Sequence, residues 1–287
     1  MRVEIDPKSG FCFGVVRAIS EAEQALSMGD GLRTEVFSLG DIVHNRIEVQ
    51  RLQKMGLHPI SNENMAMAAG RRLLIRAHGE PPNTYRAAEM MGITIIDATC
   101  PVVAKLQQRV VKAYEQMGEV GGSVVLLGKR GHAEVVGLTG QVDDRVYVVE
   151  SEADLDSVNY DAPIYFLSQT TQSISLFNHL AEIIRDRASD PQSVVVNDTI
   201  CRQVSSREEH LREFVSRFDV VLFVCGKKSS NGRVLYELCR ESNPRCYNIE
   251  SEEELDPQWF EPGCSVGICG ATSTPAWLME RVADSLR

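Results

Sequence analysis

The sequence predicts an α/β fold: a trefoil of three pseudo-threefold-related α/β domains, with small, mostly parallel sheets around a central cavity. Apolar runs that suit buried strands alternate with helical segments, which is typical of parallel sheets covered on both faces. A strand, a sharp turn and a cysteine that opens a helix occur three times, at Cys12, Cys100 and Cys201, spaced by 88 and 101 residues. Polar loops recur at similar distances after each cysteine, which favours three related units over three unrelated layers.

The first unit is assigned to residues 13–99. Its apolar periodicity predicts a helix from Val15 to Leu26 that stops at Gly29-Asp30-Gly31, because glycine commonly ends helices. Pro81-Pro82 breaks the chain before another helix. The remaining expected elements are strands at 3–5, 35–39, 72–75 and 94–96, a helix that opens at 40–45 and runs to residue 52, and a helix at 84–91.

The second unit, 100–199, and the third, 200–287, repeat this order. Residues 1–12 are expected to close the ring onto the third unit. In the second unit we expect a helix at 102–114 and strands at 123–127, 146–149, 164–167 and 194–196. In the third unit we expect a helix at 205–218, strands at 220–225, 247–249 and 265–268, and a last helix.

The composition excludes several classes of protein. With 287 residues, 43% of them hydrophobic and 24% charged, the chain resembles soluble globular proteins. No apolar run approaches 18 residues, and no signal core follows Met1, so we expect a cytoplasmic protein without a membrane partner. A formal net charge of −10 argues against nucleic-acid binding. Any anionic substrate must therefore be held by local donors.

Eight cysteines without an export signal indicate thiols or metal ligands rather than disulfides. Three of them meeting at one axis predict a metal site with three protein ligands. Cysteine-only ligation selects zinc or an iron–sulfur cluster, and three ligands where four are usual leave a position open for catalysis. Single cysteines at such places are more often core thiols, but the symmetric triplet favours the metal.

Two polar loops follow each cysteine. The residues that mark the first loop lie 28 to 32 positions after their own cysteine, and those of the second lie 66 to 72 positions after it. Each loop follows a predicted strand, where ligands bind in open α/β sheets. A lone serine, asparagine or threonine at a helix start is usually only an N-cap; several such loops at one cavity predict a site for a small dianion. The positions are His44, His132 and Ser229-Ser230-Asn231 in the first loops, and His78, Thr170 and Ser273 in the second.

Glu134 differs from these donors because it is a carboxylate among anion-binding groups and near the expected metal. Such a group suits proton transfer rather than anion binding. His132 lies beside it in sequence, and Thr170 is suited to carry a proton between Glu134, water and the substrate. The alternative is that Glu134 only places a favourable charge at a helix N-terminus.

Nine stretches resemble the hydroxymethylbutenyl diphosphate reductase family, also called IspH or LytB. They run from end to end of the chain and keep the family's order. They are Gly10-Phe11-Cys12-Phe13-Gly14-Val15, Val43-His44-Asn45, Ala77-His78-Gly79, Asp97-Ala98-Thr99-Cys100-Pro101, Gly131-His132-Ala133-Glu134-Val135, Gln169-Thr170-Thr171, Thr199-Ile200-Cys201, Ser229-Ser230-Asn231 and Ser273-Thr274-Pro275.

The resemblance implies a 4Fe-4S cluster held by Cys12, Cys100 and Cys201. Its fourth iron is open to the allylic hydroxyl of the substrate and is labile in air, where its loss would leave a 3Fe-4S cluster. The resemblance also implies that Glu134 donates a proton, with His132 and Thr170 beside it. The residues that contact the substrate and its diphosphate would be His44, His78, His132, Thr170, Ser229, Ser230, Asn231 and Ser273.

The implied reaction converts 4-hydroxy-3-methylbut-2-enyl diphosphate into isopentenyl or dimethylallyl diphosphate, the last step of the non-mevalonate isoprenoid pathway. Two electrons, from ferredoxin or flavodoxin, and two protons remove the hydroxyl group as water. Three stretches depart from the family's usual sequence: residues 202–207 after Cys201, Lys227-Lys228 before Ser229, and residues 269–272 before Ser273. They bear on the shape of the cavity and on the electron-donor surface. Two alternatives remain: a quinolinate synthase-like iron–sulfur enzyme, and an iron–sulfur sensor without activity. The Gly-His-x-Glu and Ser-Ser-Asn loops favour the reductase.

Overall fold

The computed structural model describes residues 1–28 and 35–287, apart from the side chains of Ser205 and Ser230. The predicted helix stop at residues 29–31 lies outside this part of the chain. Within it, twelve strands form three four-stranded sheets, and every pair of neighbouring strands is parallel. The predicted fold class is confirmed.

The first sheet is built from the strands that follow the first helix. Its order is β3-β2-β4-β5, so the first two strands of the unit exchange places relative to the chain. The elements up to residue 97 are β1 (Arg2–Ile5), α1 (Phe13–Ser27), β2 (Val36–Leu39), α2 (Arg46–Lys54), β3 (Leu57–Ile60), β4 (Arg72–Ile75), α3 (Pro82–Met90) and β5 (Thr94–Asp97).

The second sheet has the equivalent order, β7-β6-β8-β9. Successive residues of its central strands point to opposite faces, and each face carries its own apolar cluster: Leu127 and Phe166 lie on one, Leu126 and Leu167 on the other. The elements are α4 (Pro101–Glu119), β6 (Ser123–Leu127), α5 (Ala133–Thr139), β7 (Tyr147–Val149), β8 (Ile164–Ser168), α6 (Ile174–Arg187) and β9 (Val194–Val196).

The third sheet takes its fourth strand from the start of the chain. Its order is β11-β10-β12-β1, and β1 pairs with β12 from Arg2 opposite Ser265 to Ile5 opposite Ile268. The sequence boundaries of the three units stay a prediction. The elements are α7 (Arg202–Val215), β10 (Val220–Val224), α8 (Ser230–Ser242), β11 (Cys246–Ile249), β12 (Ser265–Gly270) and α9 (Ala276–Asp284).

The structure differs from the expected elements at several places. Strand β3 was not predicted, because its short Leu-His-Pro-Ile sequence carries a proline that only an edge strand tolerates. Helix α5 was expected only in the alternative that placed Glu134 at a helix N-terminus, because seven residues are too few to show a helical period. Helix α7 begins at Arg202 and ends at Val215, three residues earlier at each end than expected, because Cys201 itself is the N-cap.

Shared topology places all polar loops at one centre. In each sheet the two middle strands flank the point where the strand order reverses, and ligands bind at the carboxyl ends of such strands. These are β2 and β4, β6 and β8, and β10 and β12. Among the described helices, none is both long enough and apolar enough to cross a membrane.

Candidate active site

The three cysteines occupy equivalent places in the three units. Cys12, Cys100 and Cys201 are the N-cap residues of α1, α4 and α7, and they follow the outer strands β1, β5 and β9. The backbone N–H of each donates a hydrogen bond to a carbonyl in a second polar loop. The acceptors are Thr272 at 3.2 Å, Ala77 at 3.0 Å and Thr170 at 2.8 Å, respectively.

The cysteine triplet fits an iron–sulfur group. All three thiols are free, half-buried and lie along the wall of one central cavity, and none is used as a side-chain helix cap. Gly14 leaves the space that the group needs, since a Cβ atom there would lie 2.7 Å from Cys100 Sγ. Burial raises the pKa of Cys100, and the nearby backbone N–H groups of Val102 and Val103 act against this rise. Those donors suit a thiolate ligand.

Three histidines form a compact trio in the wall of the same cavity. The ring centroids of His44 and His78 are 4.9 Å apart, those of His44 and His132 5.2 Å, and those of His78 and His132 5.3 Å. They come from the loops after β2, β4 and β6, so two units contribute. One nitrogen from each ring lies within 4.8 Å of the others. Such a trio is compatible with a bound cation or with a bound anion.

The electrostatics of the trio favour neutral rings. Burial lowers the pKa of all three imidazoles, that of His132 to about 4, and Arg76 adds to the effect at each ring. The Nε2 atom of His44 and the Nδ1 atom of His78 are buried and have no hydrogen-bond partner among the described residues. Because a buried polar atom without a partner is costly, these two atoms are suited to contact a bound ligand.

The third unit adds hydroxyl and amide groups to the same cavity. Ser229 caps α8 by accepting a hydrogen bond from Gly232 N–H at 3.0 Å, and its Oγ lies 3.0 Å from Ser273 Oγ. Asn231 Oδ1 accepts two hydrogen bonds from Thr272, while its Nδ2 is buried without a partner. The Ser230 side chain lies outside the described residues. With neutral imidazoles opposite, these donors make an anion the better match for the cavity.

Glu134 lies in the wall of the same cavity as the cysteines and the histidines. Its Oε1 accepts a hydrogen bond from the Thr170 backbone N–H at 2.7 Å, and its Oε2 accepts one from Thr170 Oγ1 at 2.9 Å. Burial raises the pKa of this carboxyl to about 7, although both hydrogen bonds act in the opposite direction. A carboxyl group with this pKa holds and releases a proton near neutral pH, as general acids do.

The structure thus brings the predicted site residues that it describes to one cavity, and it adds three that were not singled out. Gln169 Nε2 lies 3.1 Å from His132 Nδ1, which also accepts the Glu134 backbone N–H. The proton of the neutral His132 ring is therefore on Nε2. Thr171 and Thr272 also lie along the cavity wall. Their sequence signals are their place in loops already identified as polar strand ends and, for Gln169 and Thr171, the stretch Gln169-Thr170-Thr171 that resembles the family.

The fold and the site together define a three-unit α/β protein whose central cavity combines three thiols, three imidazoles and one buried carboxyl group. The chain belongs to the LytB protein family, whose model matches residues 3–287. A relative from Porphyromonas gingivalis, named 4-hydroxy-3-methylbut-2-enyl diphosphate reductase, is 47% identical over 286 residues, which are 99% of this chain and 98% of the relative. The resemblance found in the sequence is confirmed.

Two solved structures share the fold. The structure of (E)-4-hydroxy-3-methyl-but-2-enyl diphosphate reductase, described as the terminal enzyme of the non-mevalonate pathway, is 35% identical with a TM-score of 0.72 and covers 100% of this chain and 99% of its own. The corresponding reductase from Plasmodium falciparum is 24% identical with a TM-score of 0.87, covering 99% and 87%. The second likeness shows the fold alone. Membership of the family implies an iron–sulfur cluster.

Proposed function

We propose that this chain reduces 4-hydroxy-3-methylbut-2-enyl diphosphate to isopentenyl and dimethylallyl diphosphate, removing the allylic hydroxyl group as water. The names of the relatives bear out the prediction of a reductase of this family. The observation that carries the proposal is the single cavity that holds a cysteine triplet, neutral histidines and the Glu134–Thr170 pair.

Cys12, Cys100 and Cys201 would hold the cofactor, a 4Fe-4S cluster with one iron that no cysteine binds. When bound, it supplies electrons to the substrate and a Lewis-acidic iron for the leaving hydroxyl group. The donor set supports this assignment, because three half-buried thiolates leave one iron open. The same arrangement explains why the open iron would be the first lost in air.

The diphosphate would be held by neutral donors. His44 Nε2, Asn231 Nδ2 and one nitrogen of His78 are buried and unpartnered, so an anion in the cavity would complete their hydrogen bonding. Ser229 and Ser273 add hydroxyl groups at helix N-termini, where the backbone favours negative charge. We include Ser230 on the resemblance alone.

Glu134 would deliver a proton to the reacting end of the substrate. Its carboxyl group is about half protonated near pH 7 because of its raised pKa. Thr170 Oγ1, 2.9 Å from Glu134 Oε2, is placed to pass that proton onward. His132 Nε2–H, oriented by the two contacts of Nδ1, adds a donor on the same side.

The electrons would come from ferredoxin or flavodoxin in the cytoplasm, as the resemblance to the family implies. The reaction takes up two electrons and two protons for each carbon–oxygen bond that it breaks.

The test is anaerobic reconstitution with iron and sulfide, followed by turnover of the diphosphate with reduced methyl viologen. We expect both isoprenoid diphosphates as products, and E134Q should bind substrate but lose about 100- to 10,000-fold of turnover. A reconstituted cluster whose spectrum does not respond to the substrate would contradict the proposal. Product formation from an iminoaspartate and dihydroxyacetone phosphate would favour the quinolinate synthase-like alternative, and binding without turnover would favour the sensor.

A further inference from the structure

The three cysteines can be approached from two sides. Besides the central cavity, Cys12, Cys100 and Cys201 lie along a second depression of about 530 Å³ that opens to the surface at the N-termini of α1, α4 and α7. We call this depression the cysteine face and define it by Phe13, Val102, Lys105, Arg109, Arg202 and Gln203, which surround the cysteines there. Nothing in the substrate site requires a second opening.

The floor of the cysteine face is apolar and exposed. The Phe13 side chain is 60% exposed and Val102 42% exposed, each in the first turn of its helix. A hydrogen bond of 3.2 Å from Phe13 N–H to Gln203 Oε1 fixes one helix start to another. Large apolar side chains left in the open beside a functional group often mark an interaction site.

The rim of the cysteine face is basic, although the whole chain carries a formal charge of −10. Lys105 and Arg109 lie on α4, and no carboxylate among the described residues forms an ion pair with either. Arg202, on α7, is paired at 3.0 Å with Asp198, the one acidic residue among the described residues around the depression. The local charge is therefore positive.

We propose that the cysteine face receives a small acidic electron-carrier protein that gives up one electron at each of two encounters. The proposal rests on the proposed function, in which two electrons and two protons convert the allylic alcohol into the hydrocarbon and water. The carrier is oxidised and the C–O bond of the substrate is reduced. All three cysteines line this face, and its apolar floor with a basic rim complements an acidic partner.

The experiment compares two electron sources on the reconstituted holoenzyme. The test variant is K105E/R109E, and the control is K112E/R185E, which makes the same change in net charge at exposed residues outside the face. With methyl viologen we expect equal turnover for all three proteins. With reduced ferredoxin at low salt we expect kcat/KM for ferredoxin to fall at least tenfold in the test variant only, and its dependence on salt to weaken.

Provided that turnover with methyl viologen is intact, an equal loss of kcat/KM for ferredoxin in the test and control variants, or no loss in either, would overturn the docking surface. Absence of viologen turnover in the wild-type protein would instead count against the proposed function. The two failures are therefore distinguishable.

A second, independent observation concerns Arg207. It lies on α7, six residues after Cys201, and its Nη2 donates a 2.9 Å hydrogen bond to the carbonyl of Gly10, two residues before Cys12. Its Nη1 is buried and has no partner among the described residues. Burial lowers the pKa of the guanidinium, while the Cys12 and Cys201 thiols act against this, so both sulfurs are within electrostatic range.

The charge of Arg207 is not neutralised nearby. No carboxylate in the described ranges forms an ion pair with it, and Asp6, the acidic group within electrostatic range, is already bonded to Ser9 Oγ and lies 2.7 Å from His210 Nε2. We infer that Arg207 is a positioning residue that links the Cys12 loop to the Cys201 helix and places positive charge beside the cluster. Positive charge stabilises the cluster state that carries the additional electron.

The test is the midpoint reduction potential of the reconstituted cluster in the R207Q and R207K proteins, which rests on the cluster assigned above. We expect R207Q to shift to a more negative potential and R207K to stay close to the wild type. The midpoint reduction potential does not depend on the fraction of protein molecules that carry a cluster, so partial loss of iron does not obscure it. A wild-type potential in R207Q, or an equal shift in both variants, would overturn the charge role, whereas a wild-type protein that takes up no cluster would contradict the cofactor.

Discussion

Replacing Thr170 with valine removes one of the two hydrogen bonds that the Glu134 carboxylate accepts. Thr170 Oγ1 lies 2.9 Å from Oε2, whereas the backbone N–H, 2.7 Å from Oε1, stays in place. Valine has nearly the same shape as threonine, so the packing should change little. Because both hydrogen bonds stabilise the ionised carboxylate against the effect of burial, the loss of one raises the pKa of Glu134 above about 7.

The size of the change follows from the energy of that contact. A hydrogen bond to a charged group contributes about 1.5–3 kcal/mol, and ~1.4 kcal/mol corresponds to one pH unit. We therefore expect the pKa of Glu134 to rise by about one to two pH units. The protonated fraction of Glu134 at pH 7 would increase from about one half to more than about nine tenths.

The assay is the pH profile of kcat/KM between pH 6 and pH 10, with methyl viologen as the electron source. In the wild type we expect activity to fall above about pH 7, because the protonated form of Glu134 donates the proton. In T170V this fall should move to higher pH, with a lower plateau because Thr170 Oγ1 is lost as a proton carrier. T171V is the matched control: its hydroxyl accepts a hydrogen bond from Gln169 at 3.1 Å and none is made to Glu134.

A fall in activity that stayed at the same pH in T170V, or moved to lower pH, would refute the assignment of this pKa to Glu134. A shift of equal size in T171V would show that the cavity responds to any lost hydroxyl group.

The remaining predictions concern the cluster, the diphosphate contacts and stability. C100S should lose most of its iron and sulfide, and normal contents would show that the ligand set is wrong. G14A should also hold less iron, because its Cβ would lie 2.7 Å from Cys100 Sγ, whereas G118A, with no atom within 4 Å, should match the wild type. H78L should raise the KM for the diphosphate substrate about 10- to 100-fold. H78Q keeps a neutral hydrogen-bond donor and should raise this KM less. Equal KM values in the two variants would contradict a hydrogen-bonding role of His78. Because the folded-state pKa of Glu134 lies above its usual 4.5, the wild type should lose up to about 3 kcal/mol of stability as pH rises from 4.5 through about 7. E134Q cannot ionise at this position, so its melting temperature should exceed that of the wild type by more at pH 8 than at pH 5. An equal difference at the two pH values would contradict the raised pKa.

Much of the site could be predicted because its parts are local in sequence. The turn after a strand, the cysteine at an N-cap and the polar residue at a helix start each depend on a few neighbouring residues. Their repetition at Cys12, Cys100 and Cys201 made the threefold arrangement visible without coordinates. Strand β3 escaped prediction because its proline and histidine hide the apolar pattern, and only its place at the sheet edge makes the proline acceptable.

Contacts between distant segments could not be predicted. Gln169 orients His132 across 37 residues of sequence, and Arg207 reaches Gly10 across 197. Neither residue type at its position is unusual, so no local pattern distinguishes it. The second opening beside the cysteines is likewise a property of three helix starts that meet in space.

The sequence by itself determined the order of the elements, the three-unit architecture and which chemical groups stand at the strand ends, since these follow from hydrophobic periodicity and local turn chemistry. Only the tertiary structure decided the protonation states of these groups and the distant residues that they contact. Glu134 and His132 have ordinary side chains, yet burial raises the pKa of one to about 7 and lowers that of the other to about 4. Both shifts arise because packing the three units together removes water from these groups, and the free energy of a buried charge depends on everything around it.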